Sequence, residues 1–302
     1  PATGVAGLTI NPDGSWSFDP TDDAYNSLAA GETQTINVTY QVADSGGLTD
    51  TNSFLITLNG TNDTPDATFL TAQTAAEDGT KVTGQLTADD PDNGTTLSYK
   101  LIGAPIDGLA ISADGSWSFD PAHPSYQSLT DGEVLELTVN YSVTDSDGAS
   151  DQAAFTLTLT GTNDAPELTG LKSSLPGGSE DNPYAITKNQ LLAGFSDADD
   201  GESLTLDITD LVATDDNGTL VGTFDPNLDA SGNPTGTGWT FNPNANFNGT
   251  VNLSYKVSDG IDSTDASNSF NLAAVNDVPA LTGTKASLIQ GPEDLESTIS
   301  TA

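Results

Sequence analysis

A repeat of roughly 100 residues most constrains what this chain can fold into. Residues 7–66 align without a gap onto residues 108–167 at an offset of 101 positions, and about half of the aligned residues are identical. Trp16 aligns with Trp117 in this comparison. Solenoid repeats run about 20 to 50 residues, whereas an immunoglobulin-like sandwich takes about 100. The period therefore predicts tandem sandwich domains.

The same short peptide separates consecutive repeats. It reads Gly-Thr-Asn-Asp-Thr-Pro at 60–65, Gly-Thr-Asn-Asp-Ala-Pro at 161–166 and Ala-Val-Asn-Asp-Val-Pro at 274–279. Asn and Asp side chains hydrogen-bond to nearby backbone, while Pro fixes φ and holds the preceding residue extended. The peptide is therefore expected to be a short, stiff connector that also carries oxygen ligands. We call the three copies the first, second and third joint.

Alternating apolar residues predict strands within each repeat. In repeat two, strands are expected at 67–71, 80–87 and 95–102, followed by a hairpin that turns at 113–115. A long strand from Leu135 to Val143 and a last strand from Phe155 to Leu159 complete a seven-strand, immunoglobulin-like sandwich. The fold class expected for the chain is all-β, a linear array of tandem immunoglobulin- or cadherin-like β-sandwiches.

The repeat spacing predicts four segments. Residues 1–63 are the C-terminal part of a sandwich whose first strands are missing, and residues 64–164 are a complete sandwich. Residues 165–277 are a divergent, longer sandwich, and residues 278–302 begin a truncated fourth repeat. The chain is thus expected to be a fragment, in which the missing strands of repeat one come from upstream sequence or from another molecule.

The charge of the chain excludes several classes of partner. Asp and Glu number 44 against 6 Lys and Arg, which gives a formal net charge of −38. Nucleic acid and anionic lipid are bound by clustered cations, so neither is an expected partner. No apolar run approaches the roughly 20 residues that span a bilayer, so no membrane insertion is expected. The absence of Cys excludes disulfides and thiolate metal sites.

Acidic residues recur at the joints and in the loops that the sandwich topology directs toward them. Ca²⁺ takes six to eight oxygen ligands in irregular geometry, whereas zinc prefers His or Cys. Carboxylates about 4 Å apart repel by about 1 kcal/mol in water and about 4 at an effective dielectric of 20, which favours capture of a divalent cation. The expected calcium ligands are Asp19, Asn62, Asp63, Glu77, Asp78, Asp89, Asp90, Asp92, Asp120, Asp145, Asn163, Asp164, Glu180, Asp181, Asp197, Asp199, Asp259, Asn276 and Asp277.

The second joint has the fullest expected ligand set. Asn163 and Asp164 are expected at its centre. Repeat two is expected to contribute from one side and repeat three from the other. The contributing side chains are Glu77, Asp78 and Asp120 from repeat two, and Asp197, Asp199 and Asp259 from repeat three.

Several stretches carry a resemblance to a known family. The phrase Asp-Gly-Ser-Trp-Ser-Phe-Asp-Pro at 114–121 is typical of VCBS repeats in giant bacterial RTX-type adhesins, which repeats one and two resemble. The stretches 89–92, 143–148 and 161–166 look like cadherin repeats, and repeat three resembles the cadherin-like tandem repeats of the same adhesins. The joints lack the further acidic and Asn residues of animal cadherins. The glycine-rich calcium nonapeptides of the RTX class are absent.

This resemblance covers nearly the whole chain and implies a function. It implies a secreted, extracellular or cell-surface stalk that calcium makes rigid and that serves cell adhesion or biofilm formation. The partners implied are the neighbouring repeats of the same long chain, with cell-surface glycans or matrix as a further class.

Other function classes fit the sequence less well. His123 is the only histidine and lacks a counterpart in the other repeats, so Ser or Cys triads lack a base or a nucleophile, and no enzyme is expected. Trp16, Trp117 and Trp239 each precede a Phe by two residues on the same strand face, which predicts core packing rather than sugar stacking. Two alternatives stay open: a glycan- or peptide-binding module, and a filament subunit assembled by strand exchange.

Overall fold

The computed structural model describes residues 4–68, 70–199 and 206–278. These residues fall into two compact units, one within Pro1–Leu171, Gly194–Asp207 and Val257–Thr264 and the other within Lys172–Ala193, Ile208–Lys256 and Asp265–Ala302. Strands make up nearly all of the regular structure in the described residues. The predicted fourth repeat lies outside the described residues apart from Val278.

Repeat one consists of two antiparallel hairpins in the first unit. In the first hairpin Leu8 pairs with Phe18. In the second, the pairing runs from Thr33 opposite Asn59 to Ala43 opposite Thr49. A 3-10 turn at Asp23–Tyr25, capped by the Asp22 side chain, connects them. The strands are β1 (Leu8–Ile10), β2 (Trp16–Phe18), β3 (Thr33–Ala43) and β4 (Thr49–Asn59).

Repeat two is a sandwich of two sheets in the first unit. One sheet has the order β10-β11-β7 and the other β6-β13-β12-β9, and side chains of both form one buried cluster around Phe119, Tyr141 and Leu157. The predicted all-β sandwich is thereby confirmed. The strands are β5 (Asp66–Ala67), β6 (Gln73–Ala76), β7 (Val82–Gln85), β8 (Ala88–Asp89), β9 (Ser98–Leu101), β10 (Leu109–Ile111), β11 (Ser116–Phe119), β12 (Val134–Thr144) and β13 (Ser150–Thr160).

The first strand of repeat two differs from its prediction. A strand was expected at 67–71, but β5 ends at Ala67 and β6 begins only at Gln73. β5 pairs with β8, whereas β6 pairs in parallel with β13, so the chain crosses from one pairing to another between them. The Tyr141 hydroxyl donates to the Thr68 carbonyl at this crossing. Residue alternation cannot reveal such a crossing, because period two continues through it.

The equivalent tryptophans of repeats one and two have the same ring partner but differ in exposure. Trp117 is 4% exposed and its ring lies 5.1 Å from that of Phe155. Gly84 of β7 pairs with it, and a Cβ at Gly84 would lie 2.6 Å from the indole Nε1. The Trp16 ring likewise lies 5.1 Å from that of Phe54, but Trp16 is 53% exposed. The reason is that no strand among the described residues covers Trp16 as β7 covers Trp117.

A Gly84→Ala substitution is expected to lower the stability of repeat two. The new methyl group would overlap a rigid, buried indole ring, and overpacking of this kind costs about 1 to 3 kcal/mol. Thermal unfolding should report a lower Tm. Gly177→Ala is the matched control, because its Cβ would meet nothing closer than the Asn271 carbonyl oxygen at 3.4 Å. Equal Tm values for the two variants would contradict the overlap.

Repeat three contains two larger sheets and a short two-stranded one that pairs Glu167 with Ser196. One has the order β15-β22-β21-β18 and the other β16-β20-β19. The stretch from Phe224 to Trp239 forms a long hairpin, in whose turn Asp229 Oδ1 accepts from the backbone N–H of Asn233. The elements are β14 (Glu167–Leu168), β15 (Gly178–Ser179), β16 (Tyr184–Thr187), α1 (Lys188–Leu192), β17 (Phe195–Ser196), β18 (Asp207–Thr214), β19 (Gly222–Leu228), β20 (Pro234–Pro243), β21 (Gly249–Ser258) and β22 (Ser263–Ala273).

Candidate metal sites at the joints

The glycine that opens the first two joints is required by a close backbone approach. A Cβ at Gly161 would lie 2.3 Å from the Thr130 carbonyl oxygen and 2.6 Å from that of Leu129. Gly60 has the same relation to Ala29 and Leu28, at 2.2 and 2.3 Å. Gly161 also donates its N–H to the Glu133 carbonyl. The joint is therefore held against the loop that precedes the long strand β12.

The second joint brings carboxylates together within the first unit. The backbone N–H of Asp164 donates to Asp199 Oδ2 at 2.8 Å, and that of Asp199 donates to Asp197 Oδ1 at 3.1 Å. On the other side, the Thr162 N–H donates to Glu77 Oε2 at 3.3 Å. Segments far apart in sequence thus meet at one connector.

The Asn163 side chain gathers a second group of acids at this joint. Its Nδ2 lies 3.1 Å from Asp259 Oδ2 and 3.0 Å from Asp262 Oδ2. Asp259 Oδ1 accepts from the N–H groups of Ile261 and Asp262, which fixes the turn. The expected ligand set omitted Asp262, although its position three residues after Asp259 in a turn was a usable signal.

The first joint repeats this geometry. Asn62 Nδ2 donates to Asp145 Oδ2 at 2.9 Å, as Asn163 does to Asp259. The Asp63 N–H donates to Asp92 Oδ2 at 2.8 Å, and the Asp92 N–H donates to Asp90 Oδ1 at 2.9 Å. The same hydrogen-bond pattern thus occurs at two joints, although the repeats that follow them differ in sequence.

Both joints contain buried oxygen atoms without hydrogen-bond partners among the described residues. Asp92 is 5% exposed and Asp199 is 2% exposed. A buried, uncompensated carboxylate costs several kcal/mol, and neither of these forms an ion pair with a lysine in the described part of the chain. The unpartnered oxygens are Asn62 Oδ1, Asp90 Oδ2 and Asp92 Oδ1 at the first joint, and Asp164 Oδ2 and Asp199 Oδ1 at the second.

Burial and mutual repulsion raise the pKa values of two carboxylic acids at the second joint. Burial, opposed by the Thr162 hydrogen bond and reinforced by repulsion from Asp164 and Asp78, raises the pKa of Glu77 to about 7. Burial and the charges of Asp78 and Asp199 raise the pKa of Asp164 to about 6. Asp259 behaves differently: burial acts to raise its pKa, but hydrogen bonds from the turn and from Asn163 leave it lowered.

At the third joint, which lies in the second unit, Glu180 makes the contact with the connector that Glu77 makes at the second joint. Glu180, which is buried, accepts from the Val275 N–H at 2.6 Å and from Asn248 Nδ2 at 2.9 Å. Asp181 accepts from the Asn246 N–H at 3.1 Å. Asp181 and Asp78, at equivalent positions, both have left-handed φ values of 60° and 57°.

The described residues of the third connector, 274–278, are exposed. Asn276 Nδ2 donates to the Asp277 carbonyl at 3.3 Å, as the Asn residues of the other joints do to their own Asp. Desolvation and the nearby charges of Asp181 and Glu180 raise the pKa of Asp277.

Three predicted ligands take part in local structure instead. Asp19 Oδ1 accepts from the N–H and hydroxyl of Thr21, and Asp120 Oδ1 accepts from the Ala122 N–H. Asp89 lies on β8, paired with Asp66. None of the three shares a hydrogen bond with a joint in the described residues.

The joints are not ready-made metal sites. Among the described residues, no group of three or more Asp, Glu or His side chains converges closely enough to hold an ion. One oxygen of Asp92, Asp145, Asp199 or Asp259 is instead bound by backbone N–H groups. Within the same residues, no helix is long and apolar enough to cross a membrane.

Family models match two parts of the chain. Residues 62–158 match the model of the bacterial Ig domain, and residues 162–273 match that of the cadherin-like domain. No curated protein matches the sequence.

Solved structures similar to the chain include extracellular cadherin domains. Domains 1–5 of protocadherin gamma B2 are 15% identical at a TM-score of 0.43; the alignment covers 89% of this chain and 51% of that one. Drosophila N-cadherin domains EC1–4 are 16% identical at a TM-score of 0.35, with 90% and 66% covered. An endo-fucoidan hydrolase of glycoside hydrolase family 107 is 19% identical at 0.31, with 91% and 38% covered. A bacterial immunoglobulin domain and a cadherin-like domain are thus recognised in tandem in this chain.

Proposed function

We propose that this chain is an extender segment of a secreted bacterial adhesin, in which Ca²⁺ at the joints orders neighbouring β-sandwiches into a stiff stalk. Its role is structural, in cell adhesion or biofilm formation outside the cell. Its main partners are the neighbouring repeats of the same long chain. The boundaries proposed for those repeats are 1–63, 64–164, 165–277 and 278–302.

The observation that carries the proposal is the recurrence of buried, unpartnered carboxylate oxygens at equivalent positions. Asp92 Oδ1 and Asp199 Oδ1 each lack a hydrogen-bond partner among the described residues, and each carboxylate is tied by its other oxygen to the Asp of a joint. Burial of an unpartnered carboxylate oxygen lowers stability, so its occurrence at equivalent positions of two joints supports a functional role.

The donor chemistry fits calcium. The side chains that meet at the second joint offer carboxylate and amide oxygens, which Ca²⁺ accepts in irregular arrangements. We propose Glu77, Asp78, Asn163, Asp164, Asp197, Asp199, Asp259 and Asp262 as its ligands, with Asn62, Asp63, Asp90, Asp92 and Asp145 at the first joint. Because backbone N–H groups now hold several of these oxygens, binding includes a reorientation of carboxylates. Bound calcium would cancel the repulsion between acids that belong to successive repeats.

Calorimetric titration and small-angle scattering test this function together. We expect Ca²⁺ to bind the metal-depleted protein and, at about 100 times the Kd, to stabilise it by about 2.7 kcal/mol. The scattering profile should become that of a more extended, less variable particle, and a chelator should reverse the change. A profile and a Tm that calcium leaves unchanged would refute the calcium-ordered stalk.

Magnesium is the control for this experiment. Mg²⁺ demands a small octahedral shell and keeps several waters, so equal concentrations of Mg²⁺ should give a much smaller rise in Tm. A glycan array run on the calcium-loaded protein separates the stalk from the glycan-binding alternative, since an extender should bind none of the sugars.

A further inference from the structure

A glutamine bridges the two acids on one side of the second joint. Gln127 Nε2 donates to Asp78 Oδ1 at 3.0 Å and reaches Glu77 Oε1 at 3.5 Å. Glu77 is 1% exposed, and its other oxygen accepts from the Thr162 backbone. One NH₂ group therefore lies between two carboxylates that otherwise repel each other.

In repeat three, an asparagine amide binds the equivalent buried glutamate. Asn248 Nδ2 donates to Glu180 Oε2 at 2.9 Å, while the other oxygen of Glu180 accepts from the Val275 backbone. Glu180 corresponds to Glu77, because each is tied to the connector of the joint that follows its own repeat. Gln127 lies between β11 and β12 and Asn248 between β20 and β21, which are equivalent connections.

Two loops of unrelated sequence thus each place a primary amide beside a buried glutamate, and the two glutamates occupy equivalent positions in their repeats. An amide N–H stabilises a carboxylate without adding a charge. It lets Glu77 and Glu180 stay buried without a cation, and it occupies an oxygen that a cation would otherwise bind.

We infer that Gln127 and Asn248 are positioning residues that set the calcium affinity of the second and third joints. This inference rests on the proposed calcium function. The amides hold Glu77 and Glu180 in place when calcium is scarce, and they weaken binding because the ion must displace a hydrogen bond.

Gln127→Glu tests the inference directly. The variant removes both N–H donors and adds a third carboxylate beside Glu77 and Asp78. In chelator, its Tm should fall by about 5 °C relative to the wild type. Its calcium Kd, measured by calorimetry, should fall by about tenfold, since added ligand charge tightens calcium sites.

Gln152→Glu is the matched control, because it adds the same charge at an exposed position on β13. It should change neither the Tm in chelator nor the Kd. Asn248→Asp, with Asn271→Asp at an exposed position on β22 as its control, repeats the test in the second unit if Gln127→Glu does not fold.

The outcomes separate the two proposals. A lower Tm with an unchanged or higher Kd would overturn the inference, because the amide would then be merely structural. If the wild-type protein binds no calcium, both the proposed function and the proposed control of calcium affinity are refuted. The Tm in chelator then still shows whether the Gln127 amide stabilises Glu77 and Asp78.

Discussion

An Asp199→Asn variant is expected to bind calcium at the second joint about 100-fold more weakly than the wild type. It is also expected to unfold at a higher temperature when calcium is removed. Loss of affinity follows because a buried carboxylate with an unpartnered oxygen is removed. The gain in chelator follows because the amide keeps an oxygen for the Asp164 N–H, and because a charge that raises the pKa values of Glu77 and Asp164 disappears.

A ligand is identified by opposite effects of its replacement: calcium binds more weakly, but the Tm in chelator rises. A residue that only stabilises the fold would lower the Tm in both conditions when replaced. Calorimetry gives the Kd, and thermal unfolding in calcium and in chelator gives the two Tm values. Asp131→Asn in an exposed loop is the control and should leave all three unchanged. A lower Tm for Asp199→Asn in both conditions would argue against a role in calcium binding.

The metal-free protein is expected to lose stability as the pH rises from about 5 to about 7. Glu77 and Asp164 have folded-state pKa values of about 7 and about 6, above the ordinary values of 4.5 and 3.8 for these side chains. The folded state therefore binds more protons than the unfolded state across this interval, so protonation favours folding. For Glu77 alone the loss of stability is about 2 kcal/mol between pH 5 and pH 7.

Calcium should invert this dependence. The ion displaces the protons of these carboxylates, so its affinity rises with pH and the calcium-loaded protein becomes more stable from pH 5 to 7. Acids with lowered pKa values, such as Asp145 and Asp259, lose their contribution only below about pH 4. Chemical denaturation at several pH values, with and without chelator, measures both slopes. Glu77→Gln should flatten the slope in chelator, and an unchanged slope would place the titrating group elsewhere.

The strand pattern and the joints could be predicted from sequence for physical reasons. Period-two alternation in repeat two predicted β12 and β13, and the 101-residue offset predicted that repeat one would contain counterparts of β10 to β13. The sequence could not predict the crossing between β5 and β6, because both segments alternate alike. It also could not predict that Trp16 is exposed, since that depends on the strand beside it rather than on its own residue type.

The joints were harder to predict in detail than in location. Recurrence of Asn-Asp identified where acids gather, but not which oxygens face the protein. Hydrogen bonds decide that: Asp120 turns toward Ala122, whereas Asp199 turns toward Asp164. Gln127 carries no charge and no motif, so nothing in the composition distinguished it from any other loop amide.

The equivalence of the first two joints has a consequence for how such chains lengthen. Asn62 and Asn163 each donate to an Asp carboxylate of the repeat that follows, although the first of these repeats matches a bacterial immunoglobulin domain and the second a cadherin-like domain. A duplication that copies one period supplies both halves of a new junction without any further substitution. We therefore expect that domains of different sequence can be joined in one chain through the same short connector.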